Sequence, residues 1–308
     1  MNSDRYKGYL FALLATVSYS NVYIFSKAAL NEIHLIQFGF YWYATGTILN
    51  SLWSAWKGNL RVIAGLGWPQ AKILILLGGL EILTNTTFFL SIHIIPDPSV
   101  TSFLGNLYPV FLTLGAVILL KERFSLIESM GIFLAFAGAF IISYSGGSSL
   151  KEMFIPGTLV VLVNALLAAG TSLVVKVNVR KLGPELITLN HNLWLLVYTA
   201  ILMFSTGKSF SVHFSALANV AIGSFLGPFM GILTIYYSFK YIEASRSSII
   251  QSLKGIVVLG GAYLYFGTLP LPHQITGGLL TVAGVLVMSL AQARILSPGK
   301  KRLSSGRQ

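Results

Sequence analysis

Ten apolar runs, each about 20 residues long, fill almost the whole of this 308-residue chain. That is the length an α-helix needs to cross a hydrocarbon layer about 30 Å thick. The expected spans are 7–30, 35–56, 72–95, 98–120, 124–146, 156–179, 185–206, 214–240, 246–267 and 273–294. A bilayer offers no water to bond exposed amides, so each run has to satisfy its backbone internally, as a helix or as part of a closed barrel. These runs are far longer than barrel strands, and their connections leave no room for a soluble domain. The fold class expected is therefore an all-α integral membrane protein with ten transmembrane helices. Composition agrees: 10% of residues are charged, against about a quarter in an ordinary soluble domain. The first run is too long for the core of a cleavable signal peptide, and no small-residue cleavage site follows it, so it reads as a span that stays.

The formal net charge of +12 raises the question of nucleic acid. However, the cations stand singly between apolar runs and in the tail ARILSPGKKRLSSGRQ, a distribution that fits membrane topology and not a nucleic-acid face. The termini and the connections after spans two, four, six and eight carry sixteen Lys and Arg, and the opposite side carries only Lys151 and Lys208. The bias puts both termini in the cytoplasm. The chain has no Cys, which excludes disulfides and Cys-ligated metals or clusters. HExxH, GxSxG, P-loop and GxGxxG motifs are all missing, so neither an enzyme nor a nucleotide-driven pump is expected. No cofactor or metal is expected either.

An offset of 146 residues lays ERFSLIESMGIFLAFAGAFIIS over TLPLPHQITGGLLTVAGVLVMS, matching Gly131, Leu134, Ala137, Gly138 and Ser143 with Gly277, Leu280, Ala283, Gly284 and Ser289. An offset of 149 lays Gly8 and Lys27 over Gly157 and Lys176. Each half holds five spans, an odd number, so the second half enters the membrane from the other side. Two similar units in opposite orientation suit alternating access, because exchanging their conformations exchanges the open side. The division expected is a first five-helix repeat over 1–148, a second over 149–296, and a basic cytoplasmic tail over 297–308.

On this repeat and on the stretch YPVFLTLGAVILLKERFSLIESMGIFLAFAGAFIIS, the chain resembles the EamA-like branch of the drug/metabolite transporter superfamily. Pro109, Glu122, Gly131 and Gly138 fall where that family's repeat ending has Pro, Glu, Gly and Gly. The second half keeps Gly277 and Gly284 but has Gly255 and Thr268 at the Pro and Glu positions. The resemblance implies two EamA-like repeats, secondary transport, often export, of small metabolites across the bacterial inner (plasma) membrane. It also implies a central cavity lined mainly by the first, third and fourth helices of each repeat.

A charge deep in a span costs about 3 kcal/mol. Lys254 and Glu81 are the only two charges so placed, about 12 Å and about 13 Å from the same face at 1.5 Å per residue. Equal depth and opposite sign suggest one shared cavity and an ion pair, direct or through water. Gln251 and Ser247 share the face of Lys254, and Asn85 and Thr84 that of Glu81. Asn21 and Tyr23 in span one, Asn106 and Tyr108 in span four, Asn164 in span six and Tyr237 in span eight complete the candidate substrate-binding or coupling residues. Lys27 and Lys176 read as snorkelling residues at span ends, and His191 as a packed or hydrogen-bonded residue. GSFLGPFMG, with Gly223, Gly227 and Gly231 at four-residue steps, permits close helix contact, and Pro228 should kink that span. The expected function is secondary active export of small polar or zwitterionic metabolites, such as amino acids, by alternating access at a midplane cavity. The partners expected are a small-molecule substrate, the lipid bilayer, protons as a coupling ion and, in a homodimer, a second copy of the chain. Rival readings are a flippase for lipid-linked cargo and a non-transporting receptor or scaffold.

Overall fold

A computed structural model describes residues 3–57, 66–120, 125–146 and 153–292. Glu122, the basic tail and several of the cations counted for orientation, among them Arg61, Lys121 and Lys151, lie outside the described residues. The first five spans comprise α1 (Ser3–Leu30), α2 (Leu35–Trp56), α3 (Trp68–Ile94), α4 (Pro98–Gly105) with α5 (Tyr108–Leu120), and α6 (Leu126–Ser143). The second five comprise α7 (Thr158–Leu182), α8 (Pro184–Ser205), α9 (Phe214–Ser224) with α10 (Ile232–Tyr241), α11 (Ala244–Gln251) with α12 (Lys254–Phe266), and α13 (Pro272–Gln292). One isolated antiparallel bridge joins Tyr144 and Phe154, and no strand occurs among the described residues. Eight of the helical stretches are long and apolar enough to cross a membrane by themselves. The others are α2 and the broken pair α4–α5.

Local chemistry sets the helix ends. Asp97, between two prolines, caps α4 by accepting from the Ser99 N–H at 2.7 Å. Ser125 and Glu128 cap α6 reciprocally: Ser125 Oγ accepts from the Glu128 N–H at 3.2 Å, and Glu128 Oε2 accepts from the Ser125 N–H at 2.6 Å. His34 and Gln37 do the same for α2. Glu128 thus serves a cap in addition to meeting the helix dipole.

Three spans are interrupted. In the fourth, Pro109 has no N–H to give the carbonyl of Gly105, and α4 ends at Gly105. In the eighth, Pro228 lies inside a π-helical turn, Phe225–Gly231, between α9 and α10. Side chains stabilise that turn, for Asn50 and Asn192 both donate to the Pro228 carbonyl at 3.0 Å. The ninth span, expected to run unbroken, also breaks, at Ser252–Leu253. No proline causes this. Asn106, at the break of the fourth span, donates from Nδ2 to the Ser252 carbonyl at 3.0 Å. The Ile256 N–H turns to Leu253 instead. The broken regions of the two spans therefore brace each other.

Close packing rests on glycine. A Cβ on Gly131 would lie 2.7 Å from the Gly284 carbonyl, and one on Gly138 would lie 2.5 Å from that of Gly277. These contacts run α6 and α13 antiparallel at backbone distance. The Gly223–Gly227–Gly231 stripe packs against Trp42, Val22 and Tyr19, as its spacing suggests. Outward faces are apolar, with Leu264 85% exposed and Phe214 and Val177 nearly as bare. That is the surface a protein presents to lipid and not to water.

Candidate functional site

A cavity of about 140 Å³ lies among the helices, a size that holds a benzene-sized molecule. All of its walls come from the first four spans of each half, and neither α6 nor α13 contributes. The second helix of each half takes part as well, through Trp42 and Tyr43 on α2 and His191 on α8.

Glu81 sits at the middle of α3 and is buried. Tyr236 Oη, from α10, donates to Glu81 Oε1 at 2.8 Å. Asn85 Nδ2, one turn along α3, donates to Oε2 at 2.9 Å. His191 Nδ1, from α8, stands 3.0 Å from the same oxygen, without the geometry of a hydrogen bond. A buried carboxylate without such partners would be heavily penalised. Here three partners surround it, two of them brought in by other helices.

Lys254 begins α12, at the break in the ninth span. Its ammonium lies 5.3 Å from the ring centre of Tyr23 and 6.0 Å from that of Tyr19. Cation–π contact of this kind contributes about 0.5–2 kcal/mol. Glu81 and Lys254 line the same cavity but form no ion pair with each other. Of the two expected pairings, direct or through water, the direct one is not formed: Glu81 contacts Tyr236, Asn85 and His191, and Lys254 rests on aromatic faces.

Of the other candidates, Asn85, Gln251, Tyr23, Tyr108 and Asn164 also line the cavity. Gln251 donates to Ser247 Oγ at 2.9 Å, and Tyr108 donates to Ser172 Oγ at 3.0 Å. Asn164 bonds the Thr84 carbonyl at 2.6 Å, tying α7 to α3. Three candidates lie elsewhere. Asn21 bonds back to the Val17 carbonyl at 2.9 Å. Asn106 is buried in the brace to Ser252. Tyr237 points to the other side of α10 from Tyr236, donates to Glu185 and stacks on Phe11. Tyr236 is the cavity residue of that pair. His191 and Tyr43 were not among the candidates, although both stand in the wall.

Lys27 and Lys176 also do more than snorkel. Lys27 is buried and donates to the carbonyls of Ile92 at 3.0 Å and Ile95 at 2.9 Å, at the last turn of α3. Lys176 donates to the carbonyls of Phe239, at 2.6 Å, and Ile242, at the last turn of α10. Each lysine thus caps the third span of its own half, where orphan carbonyls and the negative helix end favour a cation.

Long apolar helices and outward apolar faces together describe a multi-pass membrane protein, with Glu81 and Lys254 on an internal cavity. The chain belongs to the EamA-like transporter family, whose model matches residues 6–144 and again 155–290. It is similar to an uncharacterized transporter of Archaeoglobus fulgidus, 26% identical over 192 residues, which is 61% of this chain and 67% of the other. A crystal structure with 18% identity superposes with a TM-score of 0.67, covering 94% of this chain and 99% of that one. This likeness concerns the fold alone.

Proposed function

We propose that this protein is a secondary transporter that exports small polar or zwitterionic metabolites, such as amino acids, by alternating access around the cavity. The observation that carries the reading is the pair of opposite charges, Glu81 and Lys254, on two otherwise apolar helices around one cavity. A buried charge that only held helices together would be a poor stabiliser against an apolar alternative.

Alternating access calls for two inverted repeats, read here as residues 1–148 and 149–296 in a bacterial inner membrane with both termini cytoplasmic. Support comes from contacts at the offset of 146. Asn106 bonds the carbonyl of Ser252, and Thr281 Oγ1 lies 3.4 Å from the carbonyl of Ala135. In each pair the two positions correspond between halves, so they meet where a two-fold axis would pass. Gly131 meets Gly284 while Gly138 meets Gly277, the reciprocal pattern such an axis generates.

Glu81, buried and 3.0 Å from His191, is the group we read as carrying a coupled proton. The ionisable groups facing this pair are Tyr236 from α10, Tyr43 from α2, Tyr19 from α1 and Lys254 from α12. Radiolabelled amino-acid flux in proteoliposomes tests the carrier reading. Glu81→Gln and Lys254→Met are expected to cut the flux about tenfold or more, as loss of a charged contact of about 1.5–3 kcal/mol would. Normal membrane yield excludes misfolding, and unchanged kinetics in both variants would sink the reading.

A further inference from the structure

The charges of the cavity are not in equal states. Glu81 accepts hydrogen bonds from Tyr236 and Asn85, and His191 Nδ1 stands 3.0 Å from it. Its side chain is only 7% exposed. Lys254 is half-buried, has two ring faces beside it, and meets no hydrogen-bond acceptor or carboxylate among the described residues. An ammonium has three donors and no acceptor. Ring faces satisfy its charge in part and none of its hydrogen bonds.

A second polar group of the wall also lacks a partner. Tyr43, in the same wall, leaves its hydroxyl without a hydrogen-bond partner among the described residues. The cavity thus holds a positive charge with no anionic partner, while its one carboxylate is already hydrogen-bonded by the protein. Around them the wall is aromatic and aliphatic, with Phe88, Phe89 and Trp42.

We infer that Lys254 selects the substrate by an anionic group, and that the cargo is a small organic monocarboxylate with an apolar body. An amine on the cargo is not required, since its natural receptor, Glu81, is occupied. This inference rests on the carrier reading above and narrows its substrate. The cavity volume of about 140 Å³ limits the apolar body to about the size of one aromatic ring.

The test is a matched series on the purified full chain in detergent: benzoate, benzamide and benzylamine, which share a ring and differ in charge. Binding is read by thermal unfolding across a titration of each. Benzoate is expected to stabilise the wild type and to bind at least about tenfold more tightly than benzylamine, with benzamide between them. Lys254→Met is expected to lose about tenfold or more in benzoate affinity with little change for benzamide, and Lys254→Arg to keep most of it. The inference is overturned if benzoate causes no shift, if benzylamine binds as well as benzoate, or if Lys254→Met binds benzoate normally. Should Lys254→Met fail to fold, Lys254→Gln and the wild-type series decide. Uptake of labelled benzoate into proteoliposomes is measured separately. Binding without uptake would count against the carrier reading and leave the anion preference standing.

Discussion

Glu81 shows how a single residue in a membrane span acquires its surroundings from residues far away in sequence. Its carboxylate depends on Tyr236, 155 positions downstream, for one hydrogen bond, and His191 Nδ1 lies 3.0 Å from it. Tyr236→Phe removes that donor and keeps the ring. A hydrogen bond to a charged group contributes about 1.5–3 kcal/mol, so the expected outcome is a lower thermal transition together with an altered pH profile of transport. Tyr237→Phe, which touches Glu185 and not the cavity, should leave the pH profile in place. Identical profiles for the two variants would argue against a role for the Glu81 cluster in coupling. The charges themselves were legible, since Glu81 and Lys254 stand out in apolar runs. The choice of Tyr237 over Tyr236 was not: neighbouring residues on a helix point about 100° apart, and a span apolar on all sides gives little indication of which side faces in. His191 was hidden by the asparagines around it in LNHNLW, which suggest packing as readily as a site.

At the scale of elements, the antiparallel contact of α6 and α13 depends on missing side chains. Even one methyl on Gly138 would lie 2.5 Å from the Gly277 carbonyl and the Thr281 amide, both backbone atoms that cannot swing aside. Gly138→Ala is therefore expected to lower the thermal transition by the equivalent of about 1–3 kcal/mol, the range for overpacking. Gly79 is the control: a Cβ there meets nothing within 4 Å, and alanine is the better helix former, so Gly79→Ala should be neutral or stabilising. Equal unfolding temperatures for both variants would show that the close approach is not needed. The existence of these helices was readable from run length alone; small-residue spacing pointed to close contact only at Gly223, Gly227 and Gly231, and the glycines of α6 and α13 read only as repeat matches. The break at Ser252 was not readable, because no proline marks it and the Asn106 side chain that bonds its freed carbonyl lies 146 positions away. The break in the fourth span was signalled by Pro109.

Across the whole molecule, the two lysine caps make the proposed alternating access testable without knowing the cargo. Lys27 fastens the end of α3, and Lys176 fastens the end of α10. Counting spans from α1 puts the two caps on opposite faces of the membrane. Lys27→Met leaves the last carbonyls of α3 buried without a donor, which costs about 1–3 kcal/mol and should loosen the helix at that face alone. Lys176→Met should loosen the other face. The chain contains no Cys, so a single Ala168→Cys substitution in the cavity wall supplies a clean reporter thiol. In oriented membranes, a membrane-impermeant maleimide applied from the Lys27 face should label that thiol several-fold faster in the Lys27→Met background, and one applied from the opposite face should do so with Lys176→Met. A change of about 1.4 kcal/mol in the balance of open and closed forms corresponds to about tenfold in population, well within the range of such a measurement. If both variants speed labelling from the same face, or neither does, the caps are only structural and the two halves do not open in turn. If the faces separate as expected, the two lysines, alike in place and opposite in side, act as matched latches on one cavity.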